Sequence, residues 1–273
     1  MIMNTTLPTI VIRGAGDLAT GVALRLYRAG LRNIIMLETP APLAVRRTVA
    51  FSECVMHDTM TVEEVTAVRI DSANDTAKAW AAGDIPVLVD PEGTTLPDLH
   101  PEIVVDAIIA KRNLGTDMSM APLVIGLGPG FTAGKDVHVV IETMRGHHLG
   151  RVITDGPAKP NTGIPGTIAG YSIERVCWAE ASGIFTTTFD IGDTIAKNEE
   201  LGRVDDTPVL AKVSGVIRGL LRDGTPVKDH TKLGDVDPRG TVSYCNLASD
   251  KAMAIGGGVL EAICNHIFTK RLL

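Results

Sequence analysis

Short runs of apolar, β-branched residues alternate with helix-forming segments along the first half of the chain. Residues 9–12, 33–37, 85–90 and 103–110 have the composition of buried strands, and 121–136 begin as a strand and run into a loop. Residues 61–65 and 67–70 fit one helical turn followed by a strand. Apolar strands that alternate with helices predict a parallel sheet covered on both faces.

An internal repeat with an offset of 32 positions occupies the second half of the chain. Residues 192–195 recur as 224–227, and 201–205 recur as 233–237, which predicts two similar β halves. Their pattern resembles the barrel-sandwich fold of biotinyl and lipoyl carrier domains. Such carriers present a modified lysine between the halves, where this chain has Asp-Asp-Thr-Pro, so no carrier lysine is predicted.

The other segments complete the predicted domain plan. Glycine and proline crowd residues 154–170, which excludes a long helix or strand there and indicates a linker or an ordered loop. A short strand at about 241–246 precedes a helix at about 257–268 whose apolar residues lie on one side. We therefore predict a Rossmann-like nucleotide-binding region at 1–178, a β barrel-sandwich at 179–240 and a closing strand with a C-terminal helix at 241–273.

Composition narrows the classes of function. The 273 residues are 45% hydrophobic and 21% charged, which is typical of a globular protein. A net charge of −6 without a basic run excludes a nucleic-acid surface, and no apolar run is long enough to predict a membrane partner. Four dispersed cysteines and the lack of a secretory signal predict a cytoplasmic protein; Cys54, near charged residues, is the one candidate for a reactive thiol.

The segment Gly14-Ala15-Gly16-Asp17-Leu18-Ala19 fits the dinucleotide fingerprint with alanine in third place. A strand precedes it, a helix follows it, and Glu38 ends the next strand about 20 residues on. Gly14 allows the tight turn, Gly16 lets backbone approach a pyrophosphate beside Asp17, and Glu38 is placed to accept ribose hydroxyls. The pattern predicts NAD or another adenine nucleotide as cofactor, although any tight turn between strand and helix also favours glycine.

Further candidates follow other predicted strands. The loop at Gly128 and Gly130 is not a phosphate-binding P-loop, because Pro129 and Asp136 stand at required positions; it either cradles an anion or turns a corner. Either arginine of the pair at 46–47 is a candidate partner for a phosphate, or both are surface residues. The candidate acids, bases and proton carriers are Asp106, Lys111, His147 and His148. The two adjacent histidines would point to opposite sides of a strand, and no metal site is predicted.

Seven segments together resemble the accessory proteins of selenium-dependent molybdenum hydroxylases, the YqeB family. They are residues 12–21, 105–113, 126–131, 137–143, 146–150, 234–239 and 249–252. The family is distantly similar to the XdhC accessory proteins, which pair a Rossmann domain with handling of the molybdenum cofactor. The resemblance implies a molybdenum hydroxylase as partner and the molybdenum cofactor as cargo.

Three hypotheses follow for the function. The first is a maturation factor that holds a nucleotide- or pterin-type cofactor and passes it to a hydroxylase. The second is an NAD-dependent oxidoreductase of a small substrate, and the third is a purely structural assembly protein. The candidate residues form no tight constellation of acid and base, which favours a non-catalytic accessory role.

Overall fold

A computed structural model describes residues 7–270, with the side chain of Lys270 left out, and the chain forms two compact units. Unit 1 comprises Met1–Pro42, Ala50–Asn161 and Ala248–Leu273, and unit 2 comprises Leu43–Val49 and Thr162–Leu247. This division differs from the boundaries predicted from sequence. Residues 162–178 belong to unit 2, and the C-terminal helix belongs to unit 1.

Unit 1 is built on a nine-stranded sheet. Its strands are β1 (Ile10–Arg13), β2 (Ile34–Glu38), β3 (Thr59–Val62), β4 (Val65–Ile70), β5 (Ile85–Val89), β6 (Ile103–Asp106), β7 (Leu123–Leu127), β9 (Val139–Ile141) and β10 (Val152–Ile153). Their order is β10-β9-β7-β6-β1-β2-β5-β4-β3. The short strand β8 (Thr132–Ala133) follows β7 in the chain but is not part of this sheet. β8 pairs separately with β11 (Gly156–Pro157).

The central strands are parallel, but β3 and β10 run antiparallel to their neighbours at the two edges. The sheet is therefore mixed, and the predicted fold class, a Rossmann-like parallel sheet, is wrong. Residues 61–65, predicted as a helical turn, instead form the end of β3, a two-residue turn at Glu63 and Glu64, and the start of β4. Glu63 takes φ 54° there, a left-handed value suited to a hairpin turn. Two-residue hairpins can join only antiparallel strands, which explains this edge.

Five α-helices lie among the described residues: α1 (Asp17–Arg28), α2 (Cys54–His57), α3 (Thr76–Ala82), α4 (Leu96–Leu99) and α5 (Asp250–Lys270). Asp17 is the first residue of α1, where an acidic side chain interacts favourably with the helix dipole. α1 packs on α5 at small residues, since a Cβ added to Gly21 would lie 2.5 Å from that of Ala252. By length and composition alone, residues 242–269 are long and apolar enough to cross a membrane. Of an 18-residue stretch within this segment, 39% is buried inside the protein.

Unit 2 contains two four-stranded antiparallel sheets. Its strands are β12 (Val176–Trp178), β13 (Gly183–Thr186), β14 (Thr194–Ile195), β15 (Glu200–Val204), β16 (Thr207–Leu210), β17 (Gly215–Leu220), β18 (Thr225–Val227) and β19 (Lys232–Asp237). One sheet has the order β12-β19-β17-β14 and the other β16-β15-β13-β18. The 32-residue offset of the repeat relates β13 to β17 and β15 to β19, and the related strands lie in different sheets.

The predicted biotinyl- or lipoyl-like barrel-sandwich is wrong, because the two sheets of unit 2 are separate. No ladder joins them in residues 162–247, and the edge strands β14 and β18 have only 2 and 3 residues. Apolar side chains from both sheets nevertheless share one buried cluster that includes Phe185, Ile217 and Leu233. Burial of this shared cluster supplies the hydrophobic stabilisation of unit 2.

Candidate functional site

The glycine turn after β1 lies at the carboxyl end of the sheet, and Gly14 is required there by its backbone. Gly14 has φ 96°, a value that L side chains rarely adopt, and an added Cβ would lie 3.0 Å from the carbonyl oxygen of Ala107. Its N–H donates to the carbonyl of Leu37 at 2.7 Å. The turn is thus held against the strands on both sides of β1.

Glu38 lies beside the turn, as its position after β2 predicts, but its contacts are with protein backbone. One carboxylate oxygen accepts from the N–H of Ala15 at 2.8 Å, and the other accepts from the N–H of Thr39 at 2.7 Å. Each oxygen retains a further lone pair, so Glu38 can still accept one hydroxyl. Its first role is to fix the glycine turn.

Gly16 differs from Gly14 because nothing crowds it. It precedes α1 with an extended backbone, φ −67° and ψ −177°, and an added Cβ would meet no atom within 4 Å. No side chain caps the first turn of α1, so its N–H groups have no side-chain acceptor at this end. Gly16 and Asp17 therefore border open space at the N-terminus of α1, the end of a helix that favours an anion.

The second glycine loop meets the segment after β6. Gly130 has φ 115°, and an added Cβ would lie 2.7 Å from the backbone nitrogen of Arg112. Gly128 has φ 74° and packs on the Thr143 side chain, while its N–H donates to the Ile141 carbonyl at 2.9 Å. Both glycines are needed for this close packing. The loop that contains them brings the ends of β7 and β9 against the segment that contains Lys111.

Asp106 is buried and bonded within the protein, which removes it as a general base for substrate. Its carboxylate accepts from the Thr116 hydroxyl at 2.6 Å and lies 3.6 Å from the guanidinium of Arg13. Burial raises the pKa of Asp106 above its ordinary range, although the hydrogen bonds from Thr116 and Ile108 oppose that shift. Asp106 thus supports the segment that follows it.

The sequence prediction assigned no role to Lys251, which lies in the first turn of α5 and is partly buried. Burial lowers its pKa, Arg145 and Lys111 lower it further, and Asp17 and Glu142 act in the opposite direction. These charged groups come from four separate parts of unit 1. Two cations and two carboxylates from other segments of unit 1 thus act on a partly buried lysine, which makes this place a candidate for binding a charged ligand.

Two carboxylates anchor the neighbours of Lys251. Arg145 donates to both oxygens of Asp250, at 2.6 and 3.0 Å. Glu142 is buried and accepts from the N–H of Met144 at 2.7 Å and from that of Lys159 at 2.9 Å. Arg145 is therefore held in place by Asp250, and Glu142 fixes the backbone of the neighbouring loop.

Lys251 was missed because the predicted helix began near residue 257, whereas α5 begins at Asp250. Its sequence signals are its place in the segment 249–252, which carries the family resemblance, and a lysine in the first turn of an apolar helix, where the helix dipole disfavours a cation.

His147 and His148 are exposed on a loop that packs on α5 through Gly150. Arg46 and Arg47, the other candidate phosphate partners, belong to unit 2. Arg46 donates to the carbonyls of Tyr244 and Leu247, and Arg47 to that of Leu220. These arginines hold unit 2 together.

Cysteine and metal chemistry receive no support from the described residues. Burial raises the pKa of Cys54 to about 12, so this thiol is protonated at neutral pH and the expectation of reactivity is not supported. Within residues 7–270, no group of three His, Cys, Asp or Glu side chains is arranged to hold a metal ion.

Solved structures with some likeness to this chain include an ectoine utilization protein and a succinylglutamate desuccinylase/aspartoacylase. The ectoine utilization protein EutE (DoeB) from Ruegeria pomeroyi is 12% identical, with 85% of this chain and 86% of that chain covered and a TM-score of 0.26. A succinylglutamate desuccinylase/aspartoacylase from Rhodobacter sphaeroides is 16% identical, with 85% of each chain covered and a TM-score of 0.26. Likeness at this level transfers neither activity nor substrate.

The chain is 51% identical over 254 residues to YqeB of Escherichia coli (strain K12), described as an uncharacterized protein. The match covers 93% of this chain and 47% of YqeB, so the chain spans about half the length of that relative. No family model matches the chain. The chain is therefore a close homologue of YqeB, which fits the YqeB-family label derived from its motifs.

Proposed function

We propose that unit 1 holds a phosphate-bearing cofactor of the nucleotide or pterin type, and that the protein serves a molybdenum hydroxylase as an accessory factor. The observation that carries the proposal is the open space beside Gly16 at the start of α1, together with a partly buried Lys251 whose pKa the charges of Arg145, Asp17 and Lys111 affect. An anion placed there meets both the helix N–H groups and the cations.

The chain's own residues fit such a group. The turn offers the N–H groups at the start of α1, which suit phosphate oxygens, and Lys111 adds an exposed cation. Glu38 retains a lone pair for a ribose hydroxyl, and a carboxylate there disfavours a 2′-phosphate. AMP and NAD are accordingly better candidates than NADP, and the molybdenum cofactor is the proposed cargo.

The accessory role is favoured over turnover by what the candidate acids and bases do. Asp106 is buried in contact with Thr116 and Arg13, and both oxygens of Glu142 accept backbone N–H groups. His147 and His148 are exposed on their loop. No described acid and base are therefore paired across one reacting position, as a dehydrogenase requires. The link to a molybdenum hydroxylase rests on the sequence motifs of the YqeB family.

Calorimetric titration with AMP, NAD, NADP and inorganic pyrophosphate tests the binding site. Gly16→Val places a side chain where the ligand would lie, and it costs little stability because the added atoms meet open space. We expect this variant to lose binding while its free energy of unfolding changes by no more than about 0.5 kcal/mol, the range of ordinary surface substitutions. Lys251→Met should weaken binding about tenfold, and the exposed Lys78→Met is the matched control.

Three outcomes would contradict the proposal. Wild-type protein that binds none of the four probes, or a Gly16→Val variant that binds like wild type, would remove the anion site. Steady NAD reduction with a purine or hydroxy acid at more than about 1 per second would replace the accessory role with an oxidoreductase. Deleting the gene should otherwise leave the hydroxylase polypeptide present and inactive.

A further inference from the structure

The segment between β6 and Thr116 has an unusual backbone. Ile109 has φ 60° and Lys111 has φ 61°, so two side-chain-bearing residues within three positions take the left-handed conformation. A β-branched residue such as Ile109 is a clear outlier in that region. Strain of this kind persists only where surrounding contacts fix the backbone.

A buried hydrogen-bond cluster supplies those contacts. The Thr116 hydroxyl donates to Asp106 at 2.6 Å and accepts from Arg13, and all three residues are 2% exposed. The Asn113 side chain then bonds the Thr116 backbone twice, accepting from its N–H and donating to its carbonyl, each at 2.7 Å. The two ends of the strained segment are thereby tied together.

Both glycine loops press on the same segment. An added Cβ on Gly14 would lie 3.2 Å from the Cα of Ile108, and one on Gly130 would lie 2.7 Å from the nitrogen of Arg112. The backbone on each side of Lys111 is therefore in contact with a separate loop. Lys111 itself is exposed, and its charge acts on Lys251.

We propose that the cluster of Asp106, Asn113 and Thr116 is a positioning device, which holds Lys111 in a strained conformation at the anion site. Asn113 and Thr116 touch no ligand and act through Lys111. A lysine side chain has many rotamers and loses entropy when it binds, so a fixed backbone aims the ammonium group and reduces what must be ordered on binding. This inference rests on the anion site proposed above.

Pyrophosphate and AMP, titrated calorimetrically into the full chain, are the probes. Thr116→Val keeps the shape of threonine and removes the hydroxyl that links Asp106 to Arg13, whereas Thr116→Ser retains that hydroxyl. We expect Thr116→Val to bind about tenfold more weakly and Thr116→Ser to bind within about twofold of wild type. The dependence of affinity on salt should fall in Thr116→Val as it does in Lys111→Met, because each loses the same ionic contact.

The double variant Thr116→Val with Lys111→Met separates positioning from general loss of structure. If Thr116 acts through Lys111, the double variant binds no more weakly than Lys111→Met alone. Additive losses would overturn the inference, as would a Thr116→Val variant that binds like wild type. Wild-type protein that binds neither probe would instead refute the anion site itself, so the two failures are distinguishable.

A second pair of variants tests the strain without disturbing the cluster. Ile109→Gly relieves the left-handed backbone, and Ile108→Gly adds a glycine next to it at an ordinary conformation. We expect Ile109→Gly to be the more stable of the two and still to bind the probes several-fold more weakly than wild type, since Lys111 loses its fixed direction. Binding at wild-type strength in Ile109→Gly would show that the strain positions nothing.

Discussion

Two buried aspartates, Asp106 in unit 1 and Asp235 in unit 2, show how the number of nearby cations decides what a buried carboxylate does. Asp106 has one arginine at 3.6 Å, and burial raises its pKa. Asp235 is equally buried, but Arg175 and Arg218 both contact it, and its pKa is lowered. For Asp235, the cations, with Lys232 the strongest, outweigh the cost of burial.

This difference in charge pairing distinguishes the structural core of unit 2 from the candidate site of unit 1. In unit 2 the cations and carboxylates form ion pairs with one another. Asp237 also pairs with Arg239 at 2.5 Å and lies 3.6 Å from Arg218. At the anion site proposed for unit 1, Lys111 is exposed, and Lys251 is partly buried with cations and carboxylates both acting on its pKa. A ligand gains most where charges are fixed in place but not yet matched, which points to unit 1.

The largest expected effect is on unit 2. Asp235→Asn leaves Arg175 and Arg218 without their shared carboxylate, and loss of one partner from a buried ion pair costs about 3–5 kcal/mol. Urea unfolding should show that loss, and hydrogen exchange should locate it in β17 and β19. Glu200→Gln removes an exposed partner of Arg203 and is the control, expected to cost less than about 1 kcal/mol. Equal losses of unfolding free energy in the two variants would contradict the expected difference between a buried and an exposed ion pair.

Two adjacent glycines of α5 test how closely unit 1 packs around the site. A Cβ on Gly256 would lie 2.8 Å from the carbonyl oxygen of Gly21, whereas one on Gly257 would meet nothing within 4 Å. Alanine is favoured over glycine inside a helix by about 1 kcal/mol at either position. We expect Gly257→Ala to stabilise by about that amount and Gly256→Ala to destabilise by about 1–3 kcal/mol in denaturant titrations. Equal stabilisation by both would show that the crossing of α1 and α5 tolerates added volume.

The sequence predicted the features that local patterns encode. β1, the glycine turn, α1 and β2 lie where hydrophobic runs and Gly14 place them, because each depends on neighbours in the chain. The repeat also appears in the strand positions of unit 2. The edge strand β3 was missed because the hairpin at Glu63 carries no glycine or proline signal.

The contents of the candidate site were harder to predict than its place. Glycine marks a turn but does not show whether space remains beside it, and only the structure separates the crowded Gly14 from the open Gly16. Lys251 lies far along the chain from the residues that it joins, so the packing of α5 on α1 brings it there. The short segment Leu43–Val49 belongs to unit 2, where backbone groups and Arg47 hold it by hydrogen bonds. The hydrophobic pattern of the sequence does not predict such hydrogen bonds.

The smallest expected effect, about 1 kcal/mol, is also the sharpest test of the two aspartates, because it concerns the sign of a pH dependence. An unfolded aspartate has a pKa near 3.9. The raised pKa of Asp106 means that the folded state keeps its proton longer, so this group's contribution to stability falls as pH rises above about 4. The lowered pKa of Asp235 gives the opposite result, a contribution present above about pH 4 and lost as pH falls through the folded pKa.

Urea unfolding at about pH 4 and about pH 7 therefore distinguishes the two carboxylates. The cost of Asp235→Asn should be larger at the higher pH, because the charged form is the one that the arginines stabilise. The cost of Asp106→Asn should be smaller at the higher pH, by about 1 kcal/mol, because the wild type must then bury a charge that the amide lacks. Parallel pH profiles for the two variants would mean that Arg13 stabilises the Asp106 carboxylate as fully as the two arginines stabilise Asp235.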